Sequence, residues 1–549
     1  MRFVALFAAL LVAADTPPPQ FVDVARQAGV VFHHANGASP EKHLIETMGS
    51  GAVFFDYDGD GFIDIFLVDG LSQHRLFHNR GNGTFEDVTD RSGIQRRVYG
   101  MGACAADYDG DGKPDLFITG YGGNALYRGR GDGTFIDVTA AAHVGEATWG
   151  AGCAWADLDG DGDLDLWVTQ YVKADRSINP FCGDPAKGLR YYCHPLKYDP
   201  LPSILYRNDG NGGFTNVSTS SGVGALRSNG MGVLVTDYDG DGKPDVFVAN
   251  DSMPNFLFHN DSSRAGMKFT EAGLVTGVAV GADGRARAGM GIDAGDYDGD
   301  GRLDLVITNL DFEMHSVYRG LERGLFSYAA TESGIGYPTL PFVGFGVAFA
   351  DVDNDGRLDV AIANGHILDN APLYRAGSTY RQRHLLFENS GNGRFREVGR
   401  QSGPAFAVDR VSRGLAVGDI DNDGDLDLLV NNNGGDAELL RNDGGNRANS
   451  LTIRLRGAAP NTDAIGARVK ATTGSRVQVQ EVRAGSSYLS QNDLRAHFGL
   501  GTAARADRID VVWPSGKTDS FEDVAANQIV TIDQGRGIAG SSKVLGGIR

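Results

Sequence analysis

Cysteine is scarce in this sequence, with four residues in 549. That is too few for disulfides to stand in for a hydrophobic core at this length. Basic charge is short as well: 50 Lys and Arg against 70 Asp and Glu leave a formal charge of −20 at pH 7, which disfavours nucleic acid as a partner. No segment approaches ~18 uninterrupted apolar residues, so no transmembrane span is expected. Gly-x-Ser-x-Gly elbows and His-Glu-x-x-His zinc helices are missing and the 12 histidines are scattered. No residue is therefore assigned a catalytic role, and a non-catalytic protein is expected.

Glycine is abundant instead, at 78 residues, about twice the usual ~7 %. With ordinary hydrophobic content this reads as a β-rich, turn-dense globular chain. Met1-Arg2 and the apolar run Phe3 to Ala14 precede Thr16-Pro17-Pro18-Pro19, which predicts a signal peptide over residues 1–15 and a secreted or periplasmic protein. In an oxidising compartment Cys182 and Cys193, both in one polar loop, are expected to form a disulfide. Cys104 and Cys153 sit in apolar segments and are expected to be buried free thiols.

The dominant signal is a repeat, Asp-x-Asp-x-Asp-Gly-x-x-Asp. Its aspartates are Asp56, Asp58, Asp60 and Asp64; Asp107, Asp109, Asp111 and Asp115; Asp157, Asp159, Asp161 and Asp165; Asp237, Asp239, Asp241 and Asp245; Asp296, Asp298, Asp300 and Asp304; Asp351, Asp353, Asp355 and Asp359; and Asp419, Asp421, Asp423 and Asp427. Carboxylates at positions 1, 3, 5 and 9 of a glycine turn converge on one point, and hard oxygen donors in that number suit calcium. Up to seven Ca2+ ions, mainly structural, are therefore expected. An EF-hand would need a bidentate glutamate at position 12. These copies have Leu67, Ile118, Val168, Val248, Ile307, Ile362 and Val430 there and continue as strands.

Each unit opens with a glycine-rich apolar strand, passes through the aspartate loop into a second strand, and adds a third, a Gly-x-Gly hairpin and a fourth beginning with phenylalanine. Four strands in each of seven units predict a seven-bladed β-propeller over 20–446. The last unit lacks its phenylalanine strand, and the chain begins with one, Phe21-Val-Asp-Val. The N-terminal strand is expected to complete the last blade and close the ring.

These units resemble the FG-GAP and VCBS repeats of integrin α-type propellers. After Asn449 the aspartate loops stop, and Asn461-Thr-Asp-Ala-Ile-Gly-Ala-Arg, Gly485-Ser-Ser-Tyr-Leu-Ser-Gln, His497-Phe-Gly-Leu-Gly and Trp513-Pro-Ser-Gly resemble the ASPIC/UnbV domain. The combination is similar to the cartilage acidic protein family, which implies calcium binding and extracellular interaction. Alternating stretches such as Arg476-Val-Gln-Val-Gln read as strands of a small β-sandwich over 449–534, followed by a flexible tail over 535–549.

The long insertions fall on the face opposite the aspartate loops, where recognition is expected. Candidate ligand residues there are His34, Asn250, Asn309, Asn364, His366, Arg97 and Arg287, forming a polar, cationic mouth for an extracellular glycan or protein. A monomer is expected. The alternatives are a polysaccharide lyase or hydrolase on the same scaffold, for which His33, His34, Glu46 and His366 would be candidates, or an accessory protein of a biosynthetic pathway.

Overall fold

The computed structural model describes residues 18–545 apart from 96, 97, 147, 175, 176, 178 and 264, so the expected signal peptide lies outside the described residues. The all-β reading holds. Among the described residues, seven four-stranded antiparallel sheets each carry one aspartate loop between their first and second strands. Blade 1 is built from Ala52–Phe55, Asp64–Leu67, Arg75–Asn79 and Phe85–Asp87. In the seventh sheet Ser412–Gly418, Asp427–Asn432 and Glu438–Asn442 are joined by the N-terminal strand Phe21–Asp23, with Phe21 opposite Asn442. The first strands of successive sheets pack on one another around the ring, and that of the seventh packs on that of the first.

A repeated pair of contacts holds neighbouring blades together. The residue after the first loop aspartate packs against the phenylalanine that opens the next fourth strand: Tyr57 on Phe135, Tyr108 on Phe214, Tyr238 on Phe326 and Tyr297 on Phe395. Val352 packs with Phe21 and Ile420 with Phe85 in the same way. The asparagine that ends the third strand reaches back to the preceding loop. Asn79 Nδ2 donates to the Ile420 carbonyl at 2.7 Å, and Asn208, Asn260, Asn389 and Asn442 make the corresponding bonds at 2.8, 2.9, 2.8 and 2.8 Å.

Two cysteine pairs are bonded. Cys182 is joined to Cys193 within the long blade 3 insertion. Cys104 is joined to Cys153, Cα to Cα 6.0 Å, which corrects the expectation of free thiols. Their offsets from the loop aspartates differ by one residue, so they point to opposite faces of their own sheets and meet between blades 2 and 3.

The C-terminal region forms two four-stranded sheets around a shared core that includes Leu451, Val469, Phe498 and Ile509. Gly537–Lys543 is an exposed edge strand antiparallel to Gln528–Asp533, so the tail expected from residue 535 is ordered as far as Lys543. Its Gly-Ile-Ala-Gly-Ser-Ser-Lys sequence buries almost nothing, and the backbone ladder is what holds it.

The segment from Val482 to Arg495 leaves this domain and fills the propeller's central channel. It pairs by isolated bridges with three inner strands, Trp155 to Ala484, Ile292 to Ser487 and Val53 to Gln491. Its side chains bond others: Ser487 Oγ accepts from Val347 N–H at 3.0 Å, Gln491 Oε1 from Ala105 N–H at 2.9 Å, and Asn492 Oδ1 from Val417 N–H at 2.9 Å. Tyr488 and Leu489 close the far end among Leu44, Met48, Met101, Trp149, Met231 and Phe345. The glycine-rich first strands make room for this segment. A Cβ on Gly102 would lie 2.7 Å from the Leu489 carbonyl oxygen, and one on Gly414 2.8 Å from Ser490 Oγ.

Candidate functional site

The aspartate loops are networks of carboxylate-to-backbone hydrogen bonds. In blade 2, Asp107 accepts from Gly112 N–H at 2.8 Å and Asp111 N–H at 3.1 Å, while Asp111 accepts from Lys113 N–H at 3.1 Å. Asp115, at the ninth position, accepts from Tyr108 N–H at 3.0 Å and from Gly129 N–H, on the third strand, at 2.7 Å. The ninth aspartate makes the same two bonds in every blade, so it locks its loop to its sheet. One oxygen each from Asp107, Asp109 and Asp115 lie within 4.8 Å of one another, as do those of Asp56, Asp58 and Asp60 and of Asp157, Asp159 and Asp165.

This convergence is electrostatically unfavourable for the bare carboxylates. Burial, with a further push from neighbouring aspartates, raises Asp64 and Asp115 to about 9 and Asp245 and Asp304 to about 8. Asp56 Oδ1 and Asp109 Oδ1 are buried with no hydrogen-bond partner. An all-oxygen set with unsatisfied buried acceptors fits a hard divalent cation, which would reverse the cost of gathering these charges.

The C-terminal domain docks on this loop face. Arg454 Nη2 lies 3.0 Å from Asp56 Oδ2, the Thr462 hydroxyl bonds Asp107, and Asp463 accepts from Asp107 N–H at 2.7 Å. In blades 6 and 7 the fourth loop residue is asparagine at φ 57°. Its amide serves the interface as well as the turn: Asn354 Oδ1 lies 2.7 Å from His497 Nε2, and Asn422 Oδ1 accepts from Arg495 at 2.7 Å. Burial drives His497 down to about 4, so it is neutral there.

The opposite face does not present the polar mouth expected from the strand ends. Asn250, Asn309 and Asn364 are buried, and each clamps its own crossover by donating to the carbonyl of Pro254, Met314 or Arg383 at 2.7, 2.7 and 2.9 Å. His34 is buried, accepts from Gly434 N–H at 3.2 Å and is driven to about 3 by burial. His366 is buried, with Nδ1 accepting from Leu368 N–H and Nε2 3.6 Å from Asp311. Arg287 pairs with Asp283 of its own loop at 2.9 Å, and Arg97 lies outside the described residues. A strand-end amide has the same sequence whether it meets solvent or closes a turn, which is why the two were not separable. Nor do the candidate catalytic groups come together: Glu46 is engaged by Ser39 and Tyr192, and His33 pairs with Asp436 on the surface.

This face exposes a connected aromatic and arginine strip instead. The Arg190 guanidinium lies over Phe181 at 5.6 Å, Tyr191 meets Tyr374 edge-on at 5.2 Å, and Arg375 lies over Phe312 at 4.4 Å. Phe181, Phe312 and Tyr374 are each more than half exposed, as is the neighbouring Leu373. The strip joins the disulfide loop to the blade 5 and blade 6 insertions. Sequence reasoning missed it because its residues come from three insertions, around positions 181–191, 312 and 374, that meet only in the folded ring.

Comparison with known proteins matches an FG-GAP-like repeat model at residues 56–118, 107–168, 200–248, 237–307, 296–362 and 376–430, together more than half of the chain. An "ASPIC and UnbV" model matches residues 457–539. Among curated proteins, cartilage acidic protein 1 of Homo sapiens is 28% identical over 61% of this chain and 48% of its own length, and that of Xenopus tropicalis is 26% identical over 90% and 66%. The chain thus spans about half the length of the human relative. Among solved structures, a lectin of Agrocybe aegerita with a structure of non-reducing terminal N-acetylglucosamine recognition covers 65% of this chain and 84% of its own, at 17% identity and TM-score 0.37. Among the described residues no helix is long and apolar enough to cross a membrane.

Proposed function

The chain belongs to the FG-GAP-like repeat family, and from that premise we propose that it is a secreted, calcium-binding, non-catalytic interaction protein. In this reading calcium is part of the scaffold. The aspartate loops hold it through their first, third, fifth and ninth residues, and the ninth aspartate also locks the loop to the sheet. The C-terminal domain and its channel segment fix the blades and cover the loop face, which leaves the insertion face to meet partners.

The observation that carries the reading is the exposed strip of Phe181, Tyr191, Tyr374, Arg375 and Phe312. Aromatic and arginine side chains held by loops on a rigid frame are the usual anchors of protein interfaces, and aromatic faces also stack on sugars. An extracellular glycan or protein is the proposed partner. The purified protein, in calcium, is incubated with a panel of glycans and extracellular proteins, and retained ligands and any new small products are identified by mass spectrometry. Retention that falls at least tenfold in Phe312→Ala/Tyr374→Ala supports the reading. Turnover of a glycan into new products, or retention unchanged by those substitutions, contradicts it.

A further inference from the structure

One register position sorts the seven loops into three chemical classes. The third-strand residue just before the terminal Asn or Gly faces the aspartate loop. It is Arg128, Arg207, Arg319, Glu388 and Arg441 in blades 2, 3, 5, 6 and 7, but His78 and His259 in blades 1 and 4. Where it is arginine it can bring a fixed cation to the carboxylates, as Arg319 Nε does 2.7 Å from Asp298 Oδ2. Where it is histidine it brings a nitrogen lone pair.

His78 Nδ1 lies 3.3 Å from both Asp58 Oδ2 and Asp64 Oδ1. His259 Nδ1 lies 3.6 Å from Asp239 Oδ2 and 3.3 Å from Asp245 Oδ1. Both Nδ1 atoms are buried and make no hydrogen bond, and in each blade the three donor atoms lie within 4.8 Å of one another. The rings are positioned from outside: Tyr57 and Tyr238 meet them edge-on at 6.0 and 6.2 Å. On its other side, His259 Nε2 has Asp261 at 3.6 Å, a carboxylate placed where outer partners of a ligating histidine usually stand.

The nitrogen donor, not the spacing, marks these two loops: edges of ~3.4 Å suit ~2.1 Å tetrahedral and ~2.4 Å octahedral bonds alike, but a histidine nitrogen with carboxylates is a zinc-type donor set. Calcium takes oxygen donors and longer bonds of ~2.3–2.6 Å. In blade 1 Arg454 pairs with Asp56 Oδ2, which draws that carboxylate toward the C-terminal domain, while Asp58, Asp64 and His78 bring their donor atoms together.

We propose that blades 1 and 4 carry two transition-metal sites, each taking Zn2+ or a similar first-row divalent ion through one histidine Nδ1 and two aspartates. This rests on reading the loops as cation sites, but not on calcium filling the other five. The test uses the full chain, stripped of metal, reloaded with excess Ca2+ and titrated with Co2+ as the probe. Bound cobalt and calcium are counted by elemental analysis, and the cobalt spectrum reports nitrogen ligation. The expected result is two equivalents of Co2+ retained against Ca2+ and displaced by Zn2+. His78→Arg/His259→Arg, which installs the residue of blades 2 and 5, is expected to lose both equivalents while melting like the wild type, and each single variant one. His78→Gln/His259→Gln gives the same readout if the arginines disturb folding. Cobalt absent from the wild type while calcium is present, or retained undiminished by the double variants, overturns the proposal. Two cobalt ions retained with no calcium anywhere would refute the calcium reading and leave this one standing.

Discussion

The channel segment predicts that Tyr488→Ala weakens the propeller although residue 488 belongs to the C-terminal domain. Tyr488 is fully buried, its ring meets Phe345 edge-on at 4.9 Å, and its hydroxyl donates to the Met48 carbonyl at 2.7 Å. Truncating a packed aromatic costs about 3–5 kcal/mol. Losing the hydrogen bond costs about 1 kcal/mol more, so the expected total is about 4–6 kcal/mol. At ~2.1 cal/mol/K per residue the unfolding entropy of a chain this long is about 1.1 kcal/mol/K, which converts the loss to a fall of about 4–5 °C in Tm if the two domains unfold together. Tyr488→Phe keeps the ring and is expected to lose about 1 °C. Scanning calorimetry measures the shift, and hydrogen exchange locates it: amides of Ala103, Ile292 and Phe54, which bond the segment in the channel, are expected to lose protection. A fall confined to a separate C-terminal transition, with those amides unchanged, would refute the reasoning.

Removing the closing tie should act at the seam of the ring. Asn79→Ala strips the Ile420 and Ile63 carbonyls of a buried donor and is expected to cost about 2–3 kcal/mol, measured by thermal melting; a neutral result would argue against a closed ring. Deleting the chain through Val24 removes the strand paired with Glu438–Asn442. The exposed edge is expected to make the protein aggregate, as light scattering would show. Metal-free protein should lose stability as pH rises from 6.5 to 9. The folded values of Asp64 and Asp115 near 9 stand above their unfolded value of 3.8, so their contribution is complete below the unfolded value and is lost as pH rises through the folded one. The buried neutral His34 and His315, driven down to about 3, act with the opposite sign and only below about pH 6.5. Calcium-loaded protein is expected to stay flat over the upper window, and melting with and without chelator compares the two.

The blades were legible because one local motif states their chemistry seven times over, and the N-terminal strand because Phe21-Val-Asp-Val completes a count. Contacts without a repeat were not. Gly485 to Gln491 sets one Tyr-Leu pair among small and polar residues with no strand period, and its partners at Ala52 and Phe54 lie more than 400 positions away. Asn79 and its equivalents read as ordinary strand ends, although their amides tie neighbouring blades. Cys104 and Cys153 are 49 apart, close to one repeat length. The one-residue difference in their offsets, which brings them face to face, has meaning only once the sheets are stacked.

Calcium as part of the scaffold is tested most directly by counting the metal and melting the protein without it. Purified protein is analysed for bound calcium, treated with chelator until elemental analysis shows none, and melted alongside a reloaded sample. Bound calcium approaching five ions, one for each loop outside blades 1 and 4, a lower melting temperature after removal and recovery on reloading are the results predicted. An unchanged melt in protein confirmed to be calcium-free would contradict the account.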